Sequence, residues 1–133
     1  MSEREAILFA NEAFYQAFAD RDMDAMEALW AEREDITCIH PGWPALIGRQ
    51  GVLKSWLSIL ANPESPAVTC HDASAHQAGE MAYVLCYERI DGNVLVATNV
   101  FVRDGRRWRL MHHQAGPTSG APEPDETPAP KAN

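Results

Sequence analysis

Polar side chains that interrupt apolar stretches of the chain are candidates for acid–base chemistry. His40 follows the apolar run DITCI and precedes Pro41-Gly42. An imidazole can act as a general base or donate to a ligand near neutral pH. Asn99 and His112 could bind one substrate oxygen together, with Asn99 steadying the developing oxyanion and His112 moving the proton. The alternatives are a His40 bonded to loop backbone and an Asn99–His112 pair that only completes its own hydrogen bonds.

Two further candidates, Cys86 and Glu88, lie on the predicted strand over residues 80–90. A buried Glu88 would be costly unless paired or protonated, and a raised pKa would suit acid–base work. A glutamate so close to the Asp91-Gly92 turn instead favours a position at the rim, within reach of solvent. Cys86 could face the same pocket, but no base can be assigned beside it, so we interpret it as a packing residue.

The histidines and carboxylates do not have the spacing of a metal site. His40, Glu88 and His112 would converge only through the tertiary fold, and His71 and His76 are five residues apart on a strand, which predicts opposite faces. No glycine-rich loop for phosphate is present. We therefore expect neither a metal nor a cofactor.

Charge and cysteine content limit the classes of function and the cellular compartment that the sequence is compatible with. A net charge of −8 argues against nucleic-acid binding. No apolar run approaches the roughly 18 residues of a membrane span, and the N-terminus lacks a signal-peptide pattern. Three cysteines without CxxC spacing indicate a reducing compartment, so we expect a cytoplasmic protein.

Helical periodicity predicts three helices, over residues 3–19, 23–31 and 49–60. Ser2 and Glu5 match a capping box at the first, and Asp22 is placed to cap the second. The β-type segments cover residues 35–40, 67–77, 80–90, 93–103 and 106–115. Asp91-Gly92 and Asp104-Gly105 are hairpin signals. Helices followed by an antiparallel meander predict an α+β fold with three N-terminal helices packed on a strongly curved sheet.

The two hairpin turns allow a prediction of which residues share a face. With two-residue turns, Ile90 faces Asn93 and Arg103 faces Arg106. One face then carries Ala82, Val84, Cys86, Glu88, Leu95, Ala97, Asn99, Phe101, Trp108, Leu110, His112 and Gln114. We place this face under the helices as a ligand pocket, although a β-bulge would invert the assignment. The other face is also apolar, which favours a homodimer through the sheet.

The last 17 residues, PTSGAPEPDETPAPKAN, are rich in proline and lack large apolar side chains. Such a segment cannot offset its ordering entropy by burying surface. We predict one domain over residues 1–116 and a disordered, acidic, proline-rich tail over 117–133.

Three segments resemble the SnoaL-like branch of the nuclear transport factor two-like superfamily. They are FYQAFADRDMDAMEALWAE, ITCIHPGWPALIGRQGVLKSW and ATNVFVRDGRRWRLMHHQAGP, which are spread over residues 5–117. The resemblance implies a cone-shaped α+β barrel with a deep pocket between helices and sheet, usually dimeric through the sheet. It also implies functions that range from isomerases, dehydratases and cyclases to non-catalytic binding domains.

The same resemblance implies pocket positions, which fall on His40, Pro41, Trp43, Asn99 and His112. The family's final strand often ends in three histidines, whereas here Gln114 holds the third place and cannot shuttle a proton. Tyr15 lies near the region where the steroid-isomerase relatives carry a tyrosine, but no aspartate can be placed at their base position.

Four tryptophans could line a pocket for a flat ligand: Trp30, Trp43, Trp56 and Trp108. Core packing is the better interpretation of Trp56 and Trp108, and Trp43, in its proline-flanked loop, could serve as a lid. We expect a small apolar or aromatic ligand, with cofactor-free isomerisation, dehydration or cyclisation of a hydrophobic carbonyl compound if the protein is an enzyme. The alternative is a non-catalytic dimeric module that binds a ligand or a protein.

Overall fold

Three helices and an antiparallel sheet with one parallel pair make up the part of the chain, residues 1–120, that the computed structural model describes. The elements are α1 (Glu3–Asp20), α2 (Met23–Leu29), β1 (Thr37–Ile39), β2 (Leu46–Ile47), α3 (Arg49–Ala61), β3 (Thr69–Ala78), β4 (Met81–Ile90), β5 (Asn93–Asp104) and β6 (Arg107–Pro117). The predicted α+β class with three helices is confirmed. Most of the predicted tail lies outside the described residues.

The six strands form one curved sheet in the order β2-β1-β6-β5-β4-β3. β2 and β3 are its edges, so the hydrogen bonding of the described strands does not close the predicted barrel. β1 joins the meander in parallel through β6, with Cys38 beside His113. The short β2 that pairs with β1 was not predicted, because two residues carry no periodicity of their own.

The predicted caps begin both N-terminal helices. The Ser2 hydroxyl accepts from the Glu5 amide at 3.1 Å, and the Glu5 carboxylate accepts from the Ser2 amide at 2.9 Å. Asp22 accepts from the Ala25 amide at 3.0 Å. Each bond satisfies a backbone donor that the first turn leaves open, so these helix starts could be read from the sequence.

The turn between β4 and β5 agrees with prediction, since Ile90 pairs with Asn93 and the register is regular along the whole hairpin. The β5–β6 turn differs. Asp104 pairs with Arg107, so its two turn residues are Gly105 and Arg106. This shift by two positions leaves Phe101, Trp108 and Leu110 on one buried face, as predicted.

A β-bulge at Met111 then reverses the side-chain parity of β6. Phe101 pairs with Leu110 but Val100 pairs with His112, so Met111 has no partner residue of its own. Beyond the bulge His113, not His112, lies beside Asn99. The predicted placement of His112 and Gln114 on the pocket face is therefore wrong, because one extra residue moves every later side chain to the opposite face.

A second bulge, in β3, corrects the prediction for the other two histidines. His71 pairs with Tyr87 and His76 pairs with Tyr83, with a register shift between His71 and Ser74. Asp72 adopts a left-handed backbone conformation there (φ 56°). Both histidines consequently lie on the same face of the sheet and not on opposite faces.

We call the sheet face that packs against the helices the inner face and the opposite one the outer face. The inner face and the helices bury one apolar core, whose largest fully buried side chains include Trp30, Trp56, Phe14, Phe101, Ile7 and Met26. On the outer face four large apolar side chains remain 40–42% exposed, namely Met81, Tyr83, Leu85 and Val96.

Candidate functional site

A hydrogen-bonded polar network lies within the core between α1 and the inner face. The Tyr15 hydroxyl, on α1, donates to Glu88 Oε2 at 2.6 Å and accepts from Asn99 Nδ2 at 3.1 Å. These three side chains are 0–5% exposed. Buried polar groups are costly unless bonded, and here the three partners satisfy one another. We call Asn11, Tyr15, Glu88, Asn99 and His113 the inner network.

Asn99 uses both ends of its amide inside this network. Its Oδ1 accepts from His113 Nδ1 at 2.5 Å, and its Nδ2 donates to Asn11 Oδ1 at 2.8 Å as well as to Tyr15. The predicted Asn99–His112 pair is therefore replaced by an Asn99–His113 pair. With its amide engaged in this way, Asn99 is suited to position Tyr15 and His113.

His113 is a neutral base in this arrangement. Because Nδ1 carries the proton that Asn99 accepts, Nε2 presents a lone pair, 4.0 Å from Glu88 Oε2. Burial lowers the pKa of His113 to about 3, with His40 and His112 adding to the effect. Nε2 and the Glu88 carboxyl are thus two proton-accepting groups side by side.

Glu88 is 3% exposed, so the expectation that it reaches solvent at the rim is wrong. Its position opposite Cys70 and Leu95 lies beneath α1, which the distance from the turn in sequence could not show. Burial raises the pKa of Glu88, against the opposing effect of the Tyr15 hydrogen bond. Burial and the nearby Glu88 raise the pKa of Tyr15 well above its ordinary value.

A cleft of about 430 Å³ between α1 and β3 gives access to this network. Its lining residues are Leu8, Asn11, Glu12, Tyr15, Gln16, Ala19, Val68, Thr69, Cys70 and Ala73. Tyr15 is the member of the predicted pocket set that lines it. The cleft thus joins apolar walls to the outermost groups of the inner network, Asn11 and Tyr15, which is the composition typical of ligand sites.

His40 forms a separate buried cluster. Its Nε2 lies 2.9 Å from Ser55 Oγ, and that hydroxyl donates its own proton to the Val52 carbonyl at 2.7 Å. His40 therefore donates through Nε2 and is neutral, and burial lowers its pKa to about 4. Cys38 Sγ lies 3.7 Å from the same nitrogen, and burial raises the pKa of that thiol to about 12.

Aromatic rings, not hydrogen bonds, connect His40 to the inner network. Its ring centroid is 4.8 Å from that of Trp56 and 6.4 Å from that of His113. Trp43 is 43% exposed and packs edge-on over His40 at 4.8 Å, as a covering side chain would. The Trp43 backbone amide donates a 2.9 Å hydrogen bond to the His40 carbonyl, which closes the turn that places Trp43 over His40.

The other residues predicted to line the pocket are packed against, or hydrogen-bonded to, other protein groups. Trp30 and Trp56 are fully buried in the core, and Trp108 is 5% exposed with its indole N–H donating to Glu3 at 3.0 Å. Cys86 lies on the inner face as predicted, with its sulfur 3.3 Å from the Tyr15 hydroxyl.

Beyond the bulge, His112 and Gln114 lie on the outer face. His112 Nδ1 is 2.7 Å from Thr37 Oγ1, and Gln114 is exposed.

Sequence reasoning missed Asn11 and His113. Asn11 precedes Tyr15 by four residues, so the two share one side of α1, and this spacing was a usable signal. His113 could not be chosen over His112 without knowledge of the Met111 bulge. Among residues 1–120, no group of three or more histidine, cysteine or acidic side chains is arranged to hold a metal ion. None of the helices described is long and apolar enough to cross a membrane.

Comparison with known proteins identifies the fold and its relatives. The SnoaL-like domain family matches residues 7–118. A candidate dehydratase of the NTF2-like family from Streptomyces avermitilis is 34% identical and superposes with a TM-score of 0.81 over 89% of this chain and 97% of its own. A candidate calcium/calmodulin-dependent protein kinase type II association domain from Thiobacillus denitrificans is 30% identical, with a TM-score of 0.74 over 82% of this chain and 92% of its own.

A longer plant protein has a similar sequence over part of its length. The F-box protein SKIP8 of Arabidopsis thaliana is 29% identical over 112 residues, which are 83% of this chain and 48% of the plant protein. The chain therefore spans about half the length of this curated relative. The relatives differ widely in what their names describe, so shared ancestry does not by itself assign an activity.

Proposed function

This chain belongs to the SnoaL-like domain family, and we propose that it binds a small, largely apolar carbonyl compound in the α1–β3 cleft and catalyses proton transfer on it without a cofactor. One observation carries the proposal. Tyr15 lines the cleft and at the same time donates a 2.6 Å hydrogen bond to the buried Glu88. A ligand in the cleft would therefore meet a phenol that is coupled to a basic carboxylate.

Each group of the inner network has a proposed part in the transfer. Glu88, whose pKa is raised by burial, takes a proton from a carbon next to the substrate carbonyl. Tyr15 keeps its proton at neutral pH because its pKa is raised. Once Glu88 is protonated and no longer needs the Tyr15 hydrogen bond, the hydroxyl turns to donate to the oxygen on which negative charge develops. His113 Nε2 can accept a hydrogen bond from protonated Glu88 once a small movement closes the 4.0 Å gap, while its low pKa leaves the proton on Glu88.

The cleft lining also indicates the charge of the ligand. Glu12 is its one charged residue, and the rest of the lining is apolar or neutral. An anion would find no partner there and would be repelled by Glu12 and by Glu88 behind it. We therefore propose a neutral substrate. His40 and His112 have no contact with the inner network that a hydrogen bond could use, so the proposal leaves them outside the reaction.

Hydrogen exchange on a simple ketone tests the catalytic proposal without knowledge of the natural substrate. Purified protein is incubated with cyclohexanone in D₂O, and the loss of the α-hydrogen signal is followed by NMR. We expect faster exchange than in buffer, and a decrease of about a hundredfold in the protein-dependent rate for Glu88→Gln and for Tyr15→Phe.

Matched variants on exposed positions serve as controls. Tyr83→Phe removes a hydroxyl from the outer face, and Glu64→Gln removes a carboxylate from an exposed loop. Both should exchange the ketone as fast as the unaltered protein. Equal rates for all five proteins, or no acceleration over buffer, would contradict the catalytic proposal.

The outer face favours a second candidate, a dimeric module without catalysis. Four apolar side chains that are 40–42% exposed sit on adjacent strands β4 and β5, and Tyr83 stacks on His76 at 4.9 Å. Contiguous exposed apolar surface on a sheet marks an interaction site, and a second copy offers the same surface in return. The association-domain relative, at 30% identity, is consistent with such an assembly.

Sedimentation velocity tests this second candidate. We expect a dimer, which Val96→Glu should convert to a monomer because it places a charge in the interface. Leu57→Glu is the matched control, since Leu57 is 53% exposed on α3, away from the sheet. A monomeric unaltered protein, or a dimer that Val96→Glu leaves intact, would show that the outer face is not the interface.

A further inference from the structure

The side of α1 that points away from the sheet carries an exposed aromatic ring. Phe9 is 64% exposed, whereas the α1 residues Ile7 and Phe14 are fully buried in the core. At 3.6 residues per turn, Phe9 lies on the opposite side of the helix from Ile7. Single exposed apolar side chains are common on protein surfaces, so the surroundings of Phe9 decide whether it marks a binding surface.

Two grooves meet at Phe9. One, of about 420 Å³, lies where α1 meets α2 and is lined by Phe9, by Ala13, Ala17 and Ala25, and by the carboxylates of Glu12 and Asp20. The other, of about 400 Å³, lies toward the start of α1 and is lined by Met1, Leu8 and Phe9 and by Glu5 and Glu12. We call the two together the α1 groove. Its short alanine side chains leave space beside the ring for the side chains of a partner.

Every charged residue that lines the α1 groove is acidic. Glu5, Glu12 and Asp20 contribute carboxylates, and among residues 1–120 no lysine or arginine lines the groove. None of these three carboxylates forms an ion pair within that part of the chain. The groove therefore combines apolar surface with negative charge that the described protein does not neutralise.

The basic residues nearest to these carboxylates in sequence do not offset their charge. Arg4, five positions before Phe9, lies about 140° away around the helix. Arg21 follows α1 and donates to the backbone carbonyls of Leu60, Asn62 and Ser65. Its guanidinium is thus engaged by the end of α3 and the loop after it. An acidic surface around an exposed aromatic ring is complementary to a partner that is both basic and apolar.

Asp20 stands at a position where an acid does not help the helix. It is the last residue of α1, where the negative end of the helix dipole disfavours a carboxylate. Gln16 Nε2 donates to Asp20 Oδ1 at 2.9 Å, which holds the carboxylate on the same side of α1 as Phe9. The acid is better explained by the surface that it helps to form than by the stability of α1.

We propose that the α1 groove binds a basic amphipathic helix of a partner protein. Apolar side chains of that helix pack on Phe9 and fill the space beside the alanines, and its lysines or arginines pair with Glu5, Glu12 and Asp20. The distance from Glu5 to Asp20 along α1 is about 22 Å, so a helix of about 15 residues covers the surface. A helix fits better than an extended peptide, because the described lining contains no strand edge to which a peptide could add.

Fluorescence anisotropy with the whole protein, without any ketone present, tests this proposal separately from the catalytic one. The probe is a labelled amphipathic peptide of about 15 residues that contains only leucine and lysine. We expect saturable binding that weakens as the salt concentration rises. A peptide with glutamate in place of lysine, and a scrambled peptide without an amphipathic pattern, should each bind about tenfold more weakly or worse. No saturable binding, or equal binding of the scrambled peptide, would overturn the proposal.

Matched variants separate the groove from the overall negative charge of the protein. Phe9→Ala removes the exposed ring and Asp20→Lys reverses a charge at the rim, and each should weaken binding about tenfold. Leu57→Ala, on exposed α3, and Glu64→Lys, in an exposed loop, make comparable changes outside the groove and should leave the affinity unchanged. If the control variants weaken binding as much as the groove variants do, the peptide is attracted by net charge alone and the proposal fails.

Two further measurements locate the peptide and identify the occupant. In amide NMR spectra of the unaltered protein, the peptide should shift the signals of α1 and α2, and shifts confined to the sheet would contradict the proposal. Sedimentation velocity should give the same mass for Phe9→Ala as for the unaltered protein. A lower mass for Phe9→Ala would mean that a second copy of this chain occupies the groove, which would overturn the assignment to a basic partner.

Discussion

The inner and outer faces belong to the same strands, yet they differ in which kinds of side chain they bury and which they expose. On the inner face polar groups such as Glu88, Asn99 and His113 are buried and bonded to one another. On the outer face large apolar groups such as Leu85 and Val96 are partly exposed. The contrast shows that the face on which a strand residue lies decides its burial more than its polarity does. Two β-bulges decide which histidines belong to which face.

The adjacent histidines His112 and His113 allow the sharpest test of this contrast. His113→Ala should lower the free energy of unfolding by about 3 kcal/mol, because it leaves a cavity and an unpaired Asn99 oxygen in the core. His112→Ala should cost less than about 1 kcal/mol, since it loses a half-buried contact with Thr37. Urea denaturation followed by tryptophan fluorescence measures both. If the two variants lose equal stability, the bulge at Met111 is misplaced.

Acid should destabilise the fold through the two buried histidines. The folded-state pKa values, about 4 for His40 and about 3 for His113, lie below the ordinary 6.5, so the unfolded chain binds more protons between these limits. Stability is therefore full above pH 6.5 and falls as the pH decreases, by up to about 1.4 kcal/mol per pH unit for each histidine. Glu88 acts in the opposite direction, because its pKa is raised in the folded state.

Urea midpoints at several values between pH 7 and pH 4 measure this effect. The two histidines together can cost up to about 2.8 kcal/mol of stability from pH 6 to pH 5, and Glu88 reduces that loss. His40→Gln should roughly halve the slope. A slope that persists in full after His40→Gln would mean that other groups cause the acid sensitivity.

Much of the fold could be predicted because its signals are local. Ser2 and Asp22 cap the helices that they were expected to cap, and Asp91-Gly92 fixes the β4–β5 register over the whole hairpin. The pairing of β1 with β6 could not be predicted, because a three-residue strand carries no pattern that names its partner. The same limit applies to β2.

The candidate site was predicted less well, for a reason that Asn99 illustrates. Its burial on the inner face followed correctly from the regular β4–β5 hairpin, but its partner did not. The prediction that His112 lies beside Asn99 assumed that β6 has no bulge, whereas the bulge at Met111 places His113 there. Likewise, the position of Glu88 near a turn favoured a place in solvent, whereas α1 passes over it and buries it beside Tyr15.

The sequence by itself determined the α+β class, the helix starts, the β4–β5 hairpin turn and the presence of polar residues on an otherwise apolar face. These properties depend on contacts between residues close in the chain, which a pattern records. The tertiary structure alone decided that His113 faces Asn99 and that Glu88 is buried beside Tyr15. A bulge forms when strand pairing and core packing together favour one extra residue, and that balance involves partners far apart in sequence.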